Sequence, residues 1–359
     1  MVTPDGVLSP GVVELDGDRI GAVTATTGVA PDRILVPGLI DLQVNGIDDI
    51  DVAGARGDDW DRLAELLLAQ GVTAWCPTLV TAPLASYARP LARMAAAAVR
   101  SAERGDQPAI LGAHLEGPFL GGKPGAHPVE LIVEPDIDWL AGLPPLVRIV
   151  TLAAEVPRAA EAIKLLAQRG ALVAIGHSAA TYEQTVEGID AGARLVTHGF
   201  NGMSGLDHRA PGMVGAALTD DRVAVSLIAD LVHVHPAALT VAFRCKPAGR
   251  VALVSDAVAW RGKRVGVIGI VHDGTACRLA DGTLAGSALP LDLAVANVVR
   301  HCGVGLPDAV AAASTTPADL LAEPGRGRLT AGRRADMVAL DADLRCMRTW
   351  LGGALAFER

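Results

Sequence analysis

Apolar positions in this chain fall in short, dense runs with little alternation. The runs are Ile34–Val44, Val72–Val80, Ala109–Leu115, Val147–Leu152, Ala171–Ile175, Arg194–Thr197, Arg222–Ile228 and Arg250–Val254. Each is rich in Val, Ile, Leu and Ala, as strands covered on both faces are. Stretches of helical period separate several of them: Trp60–Gln70, Ser86–Arg104, Arg158–Arg169 and Tyr182–Ala191. Gly71, Gly170 and Gly192 follow three of these, where a helix C-terminus favours a left-handed residue. Eight strand-like runs alternating with helices predict an α/β fold, a (β/α)8 TIM barrel. An open doubly wound sheet is the competing arrangement.

The two ends have a different pattern. Gly11–Leu15 and Ile20–Val23 flank the turn Asp16-Gly17-Asp18, and Met337–Leu340 and Leu351–Phe357 lie among turn glycines at 332, 352 and 353. These are short strands with hairpin punctuation. They predict a small β-sandwich domain built from both chain ends, residues 1–36 and 322–359, with the barrel over 37–321. A hairpin-like segment, Val265–Leu284, interrupts the pattern after the eighth run.

Composition narrows the function. Half the 359 residues are apolar and only 3% are aromatic, so the core is aliphatic. A net charge of −9 argues against a nucleic-acid partner, which needs a basic face. The five cysteines (76, 245, 277, 302 and 346) form no CxxC pair, which fits a reducing compartment. The N-terminus lacks the basic and apolar regions of a secretion signal, and no apolar helical stretch is long enough for a bilayer. A cytoplasmic protein without a membrane partner is expected.

Polar residues gather at the ends of the apolar runs, where a barrel keeps its chemistry. The first run ends in Gln43 and Asn45, at positions where many barrel hydrolases have a His-x-His metal pair. Either other residues hold a metal, or there is no metal chemistry. Later runs end in Glu116, in His177, in His198, in Asp230 with His233 beyond, and in Asp256. One Glu and two His with an open fourth position make a common catalytic zinc set. Asp256 would then serve as base on water and as acid to a leaving amine. Taken singly, each has a plainer reading: His177 bonded to Ser178, His198 or Asp256 capping a helix, Glu116 as a turn residue. Arg209 and His233 could bind a phosphate or be solvated loop residues. The sequence has neither a G-x-S-x-G elbow nor a phosphate-binding glycine loop.

PGLIDLQVNG, HLEGPF, GHSAAT, THGFNGM, IADLVHV, SDA and AGSAL, in this order, resemble the N-acetylglucosamine-6-phosphate deacetylases of the amidohydrolase superfamily. The resemblance spans about Pro37 to Leu289, and the tail GRLTAGRRADMVALD is similar to the family's return to its small β domain. It implies removal of acetate from an amino sugar phosphate by metal-activated water. By motif, Glu116, His177 and His198 are implied as ligands of one divalent ion per subunit, zinc being the expected one, and Asp256 as catalytic acid/base. His127 in GKPGAHP matches the histidine that polarises the acetyl carbonyl. Ala126, Asn201, Gly202, Leu284, Ala285 and Gly286 fall at sugar contacts, and Arg209 and His233 at phosphate contacts, some of them reached across a homodimer interface. Gln43 and Asn45 become second-shell groups or vacant second-metal positions. The chain departs from the family at Asp48 and Asp49, where glycine is usual, at Asn201-Gly202-Met203, where Asn-Ala-Met is usual, and in the loop Gly205–His208. Alternative readings are deacetylation of a different N-acyl sugar or amine, and a catalytically inactive binding protein on the same fold.

Overall fold

The computed structural model describes residues 1–359. Eight parallel strands form the centre: β1 (Leu39–Val44), β2 (Val72–Leu79), β3 (Ala113–Glu116), β4 (Val147–Leu152), β5 (Leu172–Ile175), β6 (Leu195–Val196), β7 (Ala224–Ile228) and β8 (Val251–Val254). Each is followed by a helix: α1 (Asp59–Leu68), α2 (Ala88–Arg104), α3 (Ile137–Ala141), α4 (Ala159–Gln168), α5 (Tyr182–Ala191), α6 (Gly212–Thr219), α7 (Pro236–Cys245) and α8 (Leu291–Cys302). Parallel ladders join β1 to β2 and continue in order to β8. The strands are buried nearly throughout, which accounts for their unalternating sequences. The predicted TIM barrel is therefore present, and the open sheet is not.

The barrel closes from β8 back to β1 by sparser contacts. Val44 bridges Ala257 in parallel, and the Asn45 and Gly46 amides donate to the Ala257 carbonyl at 2.8 and 3.0 Å. Beside them, buried Asp41 accepts the Ser255 N–H at 3.3 Å.

Two apolar runs divide where the sequence reads them as one. Ile34–Pro37 leaves the barrel and pairs antiparallel with Met337–Leu340, in a four-stranded sheet completed by Cys346–Leu351 and Ala354–Glu358. The break is Gly38, where a Cβ would overlap the Thr73 side chain. Ala109–Ile110 is likewise separated from β3 by Gly112, at φ 152°. The strands Gly11–Asp16 and Arg19–Ala25 form the expected hairpin at the N-terminal end. Gly71, Gly170 and Gly192 all have the positive φ expected after a helix. No helix is long and apolar enough to cross a membrane.

Candidate active site

The C-terminal ends of the strands converge on one pocket of about 220 Å³. Its walls include Asn45, Glu116, Ala126, His127, His177, His198, Asn201, Gly202, His233, Asp256, Leu284, Ala285 and Gly286. Nearly every residue singled out from the sequence is thus brought together. Gln43 lies just beneath, fully buried. Arg209 does not line the pocket; it is exposed on its loop.

Glu116 is the last residue of β3. Its Oε1 lies 3.2 Å from His177 Nε2 and 2.8 Å from His198 Nε2, and the two histidine nitrogens are 3.0 Å apart. Donors of a tetrahedral zinc site, with bonds of ~2.0–2.1 Å, stand about 3.3 Å from one another. Glu116, His127 and His177 also have donor atoms within 4.8 Å. The set containing His198 is tighter, and His127 Nε2 stays 3.9 Å from Glu116 Oε2. His177 Nδ1 faces the Lys123 carbonyl at 3.3 Å. A carbonyl only accepts, so neutral His177 is protonated on Nδ1 and turns the Nε2 lone pair toward Glu116 and His198. A buried knot of lone pairs is what a divalent cation neutralises, so the residues fit a metal. His198 Nδ1 is buried with no protein partner.

Asp256 follows β8. Its Oδ1 accepts from Asn45 Nδ2 at 2.7 Å and from Gln43 Nε2 at 3.0 Å, and the same Gln43 amide reaches Glu116 Oε1 at 3.0 Å. The Gln43 amide on β1 thus ties the two carboxylates together, and the Asn45 amide just beyond the strand holds Asp256 alone. Asn45 Oδ1 is left without a partner. The two carboxyl groups are driven apart. Burial, reinforced by the Glu116 charge, pushes Asp256 well above the usual carboxylate range. Burial also pushes Glu116 upward, but His177 and His198 in their protonated forms, as hydrogen-bond donors and charges, outweigh it and hold Glu116 well below that range. Burial, then the neighbouring His177, lowers His127 to about 3, so its ring is neutral.

The loops around this set have visible constraints. Glu155 accepts from the Gly122 and Ala179 amides at 2.9 and 2.6 Å and from the Ser178 hydroxyl at 2.5 Å, tying the His127 loop to the His177 loop. This removes the simple Ser178 partner for the His177 ring. Gly202 has φ 59°, and a Cβ there would come within 2.8 Å of His177 Nδ1. His233 Nδ1 is held by Asp230 at 2.6 Å. Asp48 occupies a hairpin turn at φ 59°, a conformation that suits glycine, and pairs with Arg261 at 3.0 Å. Neither Asp48 nor Asp49 lines the pocket.

Sequence reasoning missed several contributors. Val265, Ile268 and Thr283 also line the pocket, from the segment Val265–Leu284, in which only Leu284 was singled out. Thr81 and Glu155 carry no motif, each being one polar residue just past an apolar run, and Asp41 lies unremarked inside the first run.

The sequence profile of the Amidohydrolase family matches residues 34–356. The N-acetylgalactosamine-6-phosphate deacetylase of Escherichia coli O157:H7 is 42% identical over 325 residues, covering 87% of this chain and 85% of that protein. The human N-acetylglucosamine-6-phosphate deacetylase is 39% identical over 340 residues, covering 88% and 82%. Among solved structures, the N-acetylglucosamine-6-phosphate deacetylase of Thermotoga maritima superposes with a TM-score of 0.92 at 30% identity, covering 100% of this chain and 98% of that one. An Asp-to-Ala mutant of the Mycobacterium smegmatis enzyme, in complex with N-acetyl-D-glucosamine-6-phosphate, superposes with a TM-score of 0.89 at 34% identity, covering 97% and 95%. With its barrel, its strand-end carboxylates and imidazoles and these relatives, the chain belongs to the amidohydrolase family.

Proposed function

We propose that the protein hydrolyses the N-acetyl group of N-acetylglucosamine 6-phosphate to glucosamine 6-phosphate and acetate. The carrying observation is the buried convergence of Glu116, His177 and His198 at 2.8–3.2 Å, with Asp256 and His127 on the same pocket. Those three residues would hold one divalent ion, zinc by donor type. When bound, such an ion lowers the pKa of water and polarises a carbonyl. Asp256 has Oδ1 occupied by Asn45 and Gln43, which leaves Oδ2 to take a proton from the attacking water and return it to the amine. His127 donates to the acetyl oxygen as negative charge develops there. Ala126, Asn201, Gly202, Leu284, Ala285 and Gly286 surround the sugar, and His233, oriented by Asp230, meets the phosphate. Arg209, exposed in its own subunit, serves the phosphate across a homodimer interface. The enzyme would work in the cytoplasm.

A second reading, the galacto epimer as substrate, is favoured by the 42% identity to the Escherichia coli N-acetylgalactosamine-6-phosphate deacetylase. Acetate release tests both. N-acetylglucosamine 6-phosphate, its galacto epimer and unphosphorylated N-acetylglucosamine are compared, before chelation, after it and after zinc return. The highest kcat/KM is expected for the gluco phosphate, with activity lost on chelation and restored by zinc. A higher kcat/KM for the galacto phosphate selects the second reading. Indifference to phosphate refutes the roles of His233 and Arg209.

A further inference from the structure

We propose that Thr81 is a positioning residue that fixes the ring tautomer of His127, so that His127 presents Nε2–H to the substrate carbonyl. The inference rests on the role given to His127 above.

Thr81 lies two residues beyond the end of β2 and is fully buried. Its hydroxyl is 2.7 Å from His127 Nδ1 and makes no other hydrogen bond. The Thr81 backbone N–H donates to the same Nδ1 at 3.4 Å. A backbone amide can only donate, so Nδ1 must offer its lone pair. With the proton on Nδ1 instead, the amide would face an N–H, and the buried hydroxyl hydrogen would have no acceptor. Satisfying both Thr81 donors therefore puts the proton of neutral His127 on Nε2. That is the nitrogen on the Glu116 side of the ring. In the opposite tautomer, Nε2 would direct a lone pair at an oxygen gaining negative charge and would oppose the reaction.

A second observation comes from the other side of Thr81. Gly117, directly after Glu116, has φ 87°, and a Cβ there would overlap the Thr81 hydroxyl. Glycine at this position leaves the hydroxyl its place against His127. Thr81 is absent from the substrate-pocket wall. Its hydroxyl therefore acts on the substrate only through His127.

The test uses metal-loaded wild-type protein, Thr81→Val and Thr81→Ser, each with 15N-labelled histidine. The His127 signal is identified by its loss in His127→Gln. Long-range 15N–1H correlations then report which ring nitrogen carries the proton. Nε2–H is expected in the wild type, with the Nδ1–H form gaining population in Thr81→Val. In acetate release, Thr81→Val should lose about tenfold to hundredfold in kcat, by analogy with removing the partner that orients a metal-ligating histidine. KM and zinc content should stay at wild-type values, and Thr81→Ser should recover most of the lost kcat. An Nδ1–H wild-type ring overturns the proposal, as does a Thr81→Val enzyme with unchanged kcat or a Thr81→Ser enzyme as slow as Thr81→Val. If Thr81→Val does not fold, the wild-type tautomer and Thr81→Ser decide. A wild-type protein that releases no acetate refutes the deacetylase reading, and the NMR measurement then judges the tautomer separately.

Discussion

His177, His198 and Asp256 share a backbone device. Each takes a left-handed conformation, at φ 48°, 32° and 48°, just past the end of its strand. Such conformations cost a non-glycine residue of order 1–3 kcal/mol and cluster at functional sites. Here the sharp turn coincides with side chains that leave the strand direction to meet over the barrel mouth. Asp256→Asn tests the chemistry without disturbing this turn, since asparagine also tolerates positive φ. The amide that replaces the carboxylate in this variant cannot take a proton from water. The expected result is a loss of about 10²- to 10⁴-fold in kcat with zinc content unchanged. Activity near that of wild type would remove Asp256 from the acid/base role. The residues of this set were legible in the sequence because acids and imidazoles are conspicuous at the ends of apolar runs. Thr81 was not. A threonine beside Val80 reads as ordinary strand-end polarity, and its meaning depends on His127, 46 residues away, folding against it.

At the scale of elements, what the sequence hides is where one strand ends and another begins. Ile34–Val44 looks continuous because the residues next to Gly38 on both sides are mainly apolar and at least partly buried, though against different sheets. Hydrophobic periodicity reports burial and carries no information about the neighbour that supplies it. Gly38 fits because Thr73 on β2 occupies the space a side chain would need. Gly38→Ala should therefore destabilise the protein by about 1–3 kcal/mol, as overpacking does. Shortening the obstacle should give part of this back. In urea denaturation, Gly38→Ala/Thr73→Ala should be more stable than the sum of the single changes predicts, because residues in contact couple. Strict additivity would mean that Thr73 is not what excludes a side chain at position 38. The same hidden break occurs at Gly112. By contrast, α5 was readable nearly to its ends, and its capping box of Thr181 and Gln184 gives a local reason for its start.

For the whole molecule, the question is how the barrel closes. Eight runs were countable in the sequence, but the closing contact joins the most distant strands, and no local pattern encodes it. Between β8 and β1, the buried Asp41 carboxylate accepts the Gln43 amide at 3.1 Å and the Ser255 amide at 3.3 Å. Burial is the larger influence and pushes Asp41 up to about 6 from 3.8, with the hydrogen bonds from Ser255 and Gln43 opposing it. The folded protein thus holds this proton more tightly than the unfolded chain does. Below pH 3.8 the carboxyl is protonated in both states, and its contribution to stability is fully present. As pH rises toward 6, the unfolded chain ionises first, so stability falls; above 6 both states are ionised and the loss is complete. The shift of about two pH units corresponds to about 3 kcal/mol. Asp41→Asn removes this titration and keeps Glu116, His177 and His198, so the pH dependence of metal binding by these three residues is common to both proteins. Measured by urea denaturation, the variant should gain on the wild type by up to about 3 kcal/mol between pH 4 and pH 7. At the acidic end it should be the less stable of the two, because the amide nitrogen it introduces can only donate and would face the Ser255 N–H, where the hydroxyl oxygen of the protonated carboxyl can still accept. A stability difference that does not change with pH would mean that the seam carboxylate is ionised throughout, and that closing this barrel does not require burying a proton with Asp41.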